Sequence, residues 1–226
     1  MSPRQLKKSP PVHSRIAVPQ KYHRQPVISR LVSRYGLTVN ITAASLVSDS
    51  ESDGWFDLEL SGNPQHLTNS LSYLQGLGVN LVQIAIANQI QIDRPDLEAN
   101  PMNWELGKQE KDVVSIHEAT FLRSPYRKLA GISEQYQKWL SHGQTNRLRL
   151  QLCISKSYYE KPVISQLVSR YGLTVNIIGA HLHPNMQQDD GWFDLDLWGK
   201  TKQIRSSLIY LTKLGLPIWT DWASSV

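Results

Sequence analysis

Between Leu148 and Ile154 the chain alternates: Leu148, Leu150, Leu152 and Ile154 are apolar, and Arg149, Gln151 and Cys153 stand between them. A period of two predicts a strand with one buried face. From Pro162 the spacing changes to a helical one, through Val163, Ile164, Leu167, Val168 and Tyr171, with proline opening the run and Gly172 closing it. Leu173, Val175 and Ile177 begin a second strand. After Gly191 a third follows, in which Phe193, Leu195 and Leu197 take one face and Trp192, Asp194 and Asp196 the other. Ile204, Leu208, Leu211 and Leu214 form the stripe of a second helix that ends at Gly215, and residues 216–222 supply a last strand.

The same pattern occurs earlier in the chain. Residues 26–41 read PVISRLVSRYGLTVNI and residues 162–177 read PVISQLVSRYGLTVNI, differing only at Arg30 and Gln166. The match resumes after a one-residue insertion, with DGWFDLEL at 53–60 against DGWFDLDL at 190–197. In the first copy Asn63 and Pro64 have the character of an N-cap and first helical residue. Two copies of a βαββαβ unit therefore predict an α+β protein with two ferredoxin-like domains. Each would be a four-stranded antiparallel sheet with two helices on one face. The expected boundaries are a basic tail over 1–11, a first domain over 12–87, a linker over 88–146 and a second domain over 147–226. The linker carries an amphipathic pattern near 125–141 (Tyr126, Leu129, Ile132, Tyr136, Trp139, Leu140) that predicts a docked helix.

Composition narrows the function classes. The net charge of +5 invites a nucleic-acid reading, but seven basic residues and no acid lie in the first thirty positions, and the remainder of the chain is slightly acidic. The single cysteine, Cys153, excludes an internal disulfide and any multi-thiolate zinc or iron–sulfur centre. No run approaches the roughly 20 apolar residues of a membrane helix. The expectation is a cytoplasmic protein that meets neither membrane nor nucleic acid.

With the strand, the PVIS helix and the strand ending in Asn-Ile in place, the chain resembles the NIL domain family. The resemblance rests on Pro26–Ser29 and Pro162–Ser165, on the glycine that ends each of these helices, and on Val39-Asn40-Ile41 and Val175-Asn176-Ile177. It implies the small ferredoxin-like domain found at the C-terminus of methionine importer ATPases and as free-standing bacterial and cyanobacterial proteins. In the importers such domains pair and bind methionine near the interface. The resemblance thus places a ligand at Asn40, Ile41, Asn176 and Ile177, at the junction of two copies acting as a pseudo-dimer. An amide, which both donates and accepts, suits a zwitterion; the other reading of each Asn is a bond to local backbone. The third letter of the motif is Thr42 in one copy and Ile178 in the other, so the two halves are not equivalent. The importers' ATPase domain has no counterpart here.

Other chemistry fares less well. Gly199-Lys200-Thr201 echoes a phosphate-binding loop, but Asp194 stands where the earlier glycine is required. Trp55 and Trp192 occupy the strand that stacks bases in RNA-recognition modules, yet Asp57, Glu59, Asp194 and Asp196 share their face and would repel phosphate. His181, His183, Asp189 and Asp190 could suggest a metal, but the first copy has Ser45 and Val47 at the histidine positions, and solvated strand-end histidines are the better account. No nucleophile–base pair recurs, so no catalytic residue, metal or cofactor is expected. Trp55, Trp192 and Trp198 on the sheet face opposite the helices are candidate contact residues for the sister domain, the linker or another chain. A ligand-free interaction or scaffold module, with a protein partner or a homo-oligomer, is accordingly the alternative to amino-acid binding.

Overall fold

A computed structural model of the chain describes residues 10–47, 52–86, 127–128, 146–183 and 190–220. The first repeat runs β1 (Val12–Val18), α1 (Val27–Ser33), β2 (Thr38–Leu46), β3 (Gly54–Ser61), α2 (Pro64–Gly76) and β4 (Asn80–Ile86). A two-residue strand, β5 (Arg127–Lys128), precedes the second repeat. That repeat runs β6 (Arg147–Ile154), α3 (Val163–Ser169), β7 (Thr174–Leu182), β8 (Gly191–Trp198), α4 (Thr201–Lys213) and β9 (Ile218–Thr220). Short 3-10 turns at Gln20–Tyr22 and Lys156–Tyr158 lie between the first strand and first helix of each repeat.

The βαββαβ order yields strand orders β4-β1-β3-β2 and β7-β8-β6-β9, the ferredoxin-like arrangement in both copies. The alternation read from the sequence becomes alternating burial. In β1 Val12, Ser14, Ile16 and Val18 face inward, and in β3 Phe56, Leu58 and Leu60 do so. The inward faces meet Leu31, Leu67 and Leu74 in repeat one, and Leu167, Ile204, Leu208 and Leu211 in repeat two. Asn63 caps α2 by accepting from the Gln65 N–H at 2.9 Å, with Pro64 as first helical residue. Pro26 and Pro162 sit one position earlier than expected, as the N-cap residues of α1 and α3. The glycines that end the helices have positive φ, 62° at Gly36 and 66° at Gly172, a region L-residues enter at a cost.

The two four-stranded sheets are one. Strand β2 pairs antiparallel with β7 through Ala44↔Leu182, Ser45↔His181 and Leu46↔Ala180, and β5 extends the far edge by pairing with β9. The described strands form a nine-stranded sheet in the order β4-β1-β3-β2-β7-β8-β6-β9-β5. Arg127 and Lys128 are therefore strand, where the amphipathic pattern predicted helix. The open hydrogen-bonding edge of β9 pairs this backbone and overrides local propensity. The rest of the expected linker helix lies outside the described residues, as do residues 1–9 of the basic tail. The last strand of the second repeat begins at Ile218, two residues later than expected, and Asp221 and Trp222 fall outside the described residues.

Candidate functional site: the junction of the two repeats

Strands β2 and β7 overlap only at their final three residues, so the earlier half of each has a sheet neighbour on one side alone. On the other side lies the first helix of the opposite repeat. Helices α1 and α3 touch each other, α1 reaches onto β7 and α3 onto β2. This crossing settles the edge backbone groups. The Val39 N–H donates to Ser165 Oγ at 3.2 Å, and the Val175 N–H donates to Ser29 Oγ at 3.1 Å. Both hydroxyls are buried. An N–H left unpaired there would cost about 1–3 kcal/mol. The serine of each PVIS segment thus closes the strand edge of the other repeat.

The motif asparagines join the same seam. Asn40 and Asn176 are each 6% exposed. Asn40 Nδ2 donates to the Tyr159 carbonyl at 2.9 Å, and to Glu59 Oε2 at 3.4 Å; Asn176 Nδ2 donates to the His23 carbonyl at 3.3 Å. Neither Asn spends its amide on backbone of its own repeat: each grips the segment ahead of the opposite PVIS helix. The residue after Ile41 or Ile177 marks a β-bulge, since the register shifts between Ile41 and Ala43 and between Ile177 and Gly179. Thr42 and Ile178, the unequal third letters, occupy these bulges. Thr42 Oγ1 uses its position to donate to the Asp57 carbonyl at 3.3 Å.

Beside Asn40 the seam holds a small, half-open cavity of about 20 Å³, between Val39, Asn40 and Ile41 of β2 and Tyr158, Lys161 and Val163 of the second repeat. That is room for about one water molecule. Its lining is mostly apolar, and Asn40, Tyr158 and Lys161 are the lining residues that carry polar side chains. The Tyr158 hydroxyl donates to the Leu214 carbonyl at 2.8 Å, which fixes the ring, and the Lys161 ammonium rests 4.2 Å from that ring's centre.

The tryptophans lie on the open sheet face, which Glu59 and Asp196, the register partners of Asn40 and Asn176, share. Trp198 is exposed, while Trp55 and Trp192 are half-buried. Arg15 lies over Trp55 and makes a bidentate pair with Asp57, at 2.6 Å for both bonds; Arg147 lies over Trp198 and pairs in the same way with Asp196 at 2.9 and 2.8 Å. In each case the carboxylate's hydrogen bonds push the arginine pKa further up. Asp194 occupies the position of Asp57, but its neighbour is Gln151, the counterpart of Arg15, which donates to it at 2.9 Å. Burial raises the Asp194 pKa from 3.8 to about 6, against smaller opposing effects of Gln151 and Arg149. His181 stacks on Trp192 at 6.3 Å. No cluster of three or more metal-ligating side chains occurs among the described residues, which do not include Asp189. No described helix is long and apolar enough to cross a membrane.

The junction brings Asn40, Ile41, Asn176 and Ile177 to one seam and leaves the three tryptophans on the sheet face. Ser29, Ser165 and Lys161 were missed as site residues. A signal for the serines was present: a hydroxyl inside an apolar stripe, at the same place in both copies, requires a buried partner. Lys161 is visible only as a difference between copies, since Gln25 stands in its place.

A family model for the NIL domain matches the chain twice, over residues 13–82 and 148–219. The chain belongs to the NIL domain family. It is similar to an uncharacterized protein of Synechococcus elongatus, 35% identical over 74 residues, which is 33% of this chain and 90% of the relative. An uncharacterized protein of Synechocystis is 42% identical over 67 residues, 30% of this chain and 68% of that protein. Each relative is matched by about one repeat's length, and the present chain carries two NIL domains in tandem. Among solved structures, a protein described as a glycine cleavage system transcriptional repressor aligns over 94% of this chain and 95% of its own, at 9% identity and a TM-score of 0.26. A chlorite dismutase from Candidatus Nitrospira defluvii aligns at 12% identity and 0.20, over 89% of this chain and 82% of its own. At such scores neither likeness bears on function, and the fold assignment rests on the strand order itself. The NIL match marks the chain as a regulatory module of non-catalytic type.

Proposed function

We propose that this tandem NIL protein is a sensor that binds a small apolar amino acid, methionine or a related sulfur metabolite, at the seam between its repeats. One observation supports the reading above others: the buried Asn40 amide bonds across the seam beside an apolar cavity, where an incoming carboxylate or ammonium group could take over that bond. At about 20 Å³ the cavity is too small for an amino acid as it stands. Binding therefore requires residues 155–161 to move outward and the Asn40 bond to Tyr159 to be exchanged for one to the ligand. Ligand binding and the spacing of the repeats are then coupled, which is what a regulatory module needs. No step of catalysis is involved, and a cytoplasmic setting, where free amino acids are sensed, fits this role.

Thermal unfolding with and without millimolar methionine tests the reading. A saturable rise in Tm that Asn40→Ala together with Asn176→Ala removes supports it. Absence of any shift with methionine, other apolar amino acids or sulfur metabolites refutes it. A second reading, a ligand-free interaction module for a protein partner or a second copy, is favoured by Trp198, a large apolar side chain 42% exposed on the open face. It would then stand.

A further inference from the structure

We infer that the two junction sites are unequal, and that the one at Asn40 takes a single zwitterion per chain, with Lys161 anchoring the carboxylate and Glu59 the ammonium. The inference rests on the ligand reading above and assigns the residues that would give the site its specificity.

The asymmetry begins with a relocated charge. Within the sixteen-residue match the copies differ only at Arg30 and Gln166, and just before it they differ at Gln25 and Lys161. Each repeat therefore has one cation and one glutamine at these two positions, but they have changed places. In repeat one Arg30 lies on the helix flank, where it donates to Gln25 Oε1 at 3.1 Å and to the Tyr73 hydroxyl at 3.2 Å. In repeat two Gln166 takes over the helix-to-helix link by accepting from the Tyr210 hydroxyl. The cation of repeat two is Lys161, an exposed residue at the rim of the cavity whose ammonium lies against the Tyr158 ring.

The acidic partner shows the same asymmetry. Asn40 stands opposite Glu59 in the β2–β3 register, and Asn176 stands opposite Asp196 in the β7–β8 register. Asp196 is neutralised by its bidentate pair with Arg147. Glu59 has no such pair among the described residues; it accepts from the Asn40 amide. Around Asn40 the molecule therefore places a cation and an uncompensated carboxylate, complementary to an amino acid's two charged groups. Opposite Asn176 the carboxylate is already satisfied by Arg147, and the first repeat has the neutral Gln25 at the position of Lys161.

Isothermal titration of the full chain tests this with three probes: methionine, methioninol, which lacks the carboxylate, and the desamino analogue of methionine, which lacks the ammonium. One equivalent of methionine per chain is expected. Lys161→Gln should weaken methionine and the desamino analogue by about tenfold or more and leave methioninol unchanged, as expected for loss of a charge-assisted bond. Glu59→Gln should weaken methionine and methioninol and spare the desamino analogue. Lys161 is exposed and Glu59 half-buried, and unchanged thermal melting without ligand is the folding control. Two equivalents per chain, or variants that bind all three probes as the parent does, overturn the inference while the ligand reading stands. No binding of any probe overturns both.

Discussion

Replacing Asp194 by Asn should make the protein more stable at neutral and alkaline pH and leave it unchanged near pH 4. The carboxylate is held at about pKa 6, above its ordinary 3.8, because burial disfavours its charged form and its neighbour is Gln151 rather than an arginine. The folded-state pKa lies above the unfolded one. Below about pH 4 both states are protonated and the group is neutral in its effect. As pH rises towards 6 the unfolded chain ionises first, so stability falls, and above about 6.5 the penalty is constant. A difference of about 2 in pKa corresponds to roughly 3 kcal/mol, an upper bound because the side chain retains some solvent contact. Asparagine keeps the shape and can still accept from Gln151, so it removes the ionisation and little else. Urea unfolding at intervals from pH 4 to 8 should show the variant gaining about 1–3 kcal/mol at pH 8, with the two curves converging at pH 4. Gln151→Arg should act in the same direction by recreating the Arg15–Asp57 pair. An Asp194→Asn variant that is equal to or weaker than the parent at pH 8 would show that this carboxylate is not buried as described.

Three further outcomes follow from particular side chains. Ser29→Ala and Ser165→Ala each strand a buried N–H, of Val175 and Val39, and should cost about 1–3 kcal/mol apiece in denaturant unfolding, while Ser33→Ala on the outer side of α1 should be nearly neutral. Ser14, the one described buried side chain whose oxygen has no hydrogen-bond partner, stands where the second repeat has Leu150; Ser14→Ala should be neutral or raise stability by up to about 1 kcal/mol. Gly215→Ala should cost about 1–2 kcal/mol by chemical denaturation, because φ is 73° there and the added Cβ meets open space, so that backbone strain alone is measured.

The two-copy fold could be read directly from the residues. Alternating leucines in 148–154, a helical stripe between Pro162 and Gly172, and the near-identity of two sixteen-residue stretches specify elements, order and duplication. All of these are local or self-comparative signals. The joining of the two sheets was not legible, because β2 and β7 meet over only three residue pairs and nothing in Ala44-Ser45-Leu46 or Ala180-His181-Leu182 marks a partner. The bulge at Thr42 was hidden for a related reason: an extra residue in a strand looks like a break in alternation, and it was read as a difference between copies. The site was half legible. Asn40 and Asn176 were found through the family motif, but their partners, the carbonyls of Tyr159 and His23, lie over a hundred residues away and carry no side-chain signature. Arg127 and Lys128 show the limit of periodicity, where an available strand edge outweighs an amphipathic pattern.

The central claim is that the seam at Asn40 is a ligand site and not only a structural joint. The direct measurement is an amide and side-chain NMR titration of the full chain with methionine. Saturable shifts confined to residues 38–41 and 155–164, including the Asn40 side-chain NH₂, are the predicted result. No shifts at millimolar methionine, or shifts that gather around Trp55 and Trp198 on the open face, would contradict it.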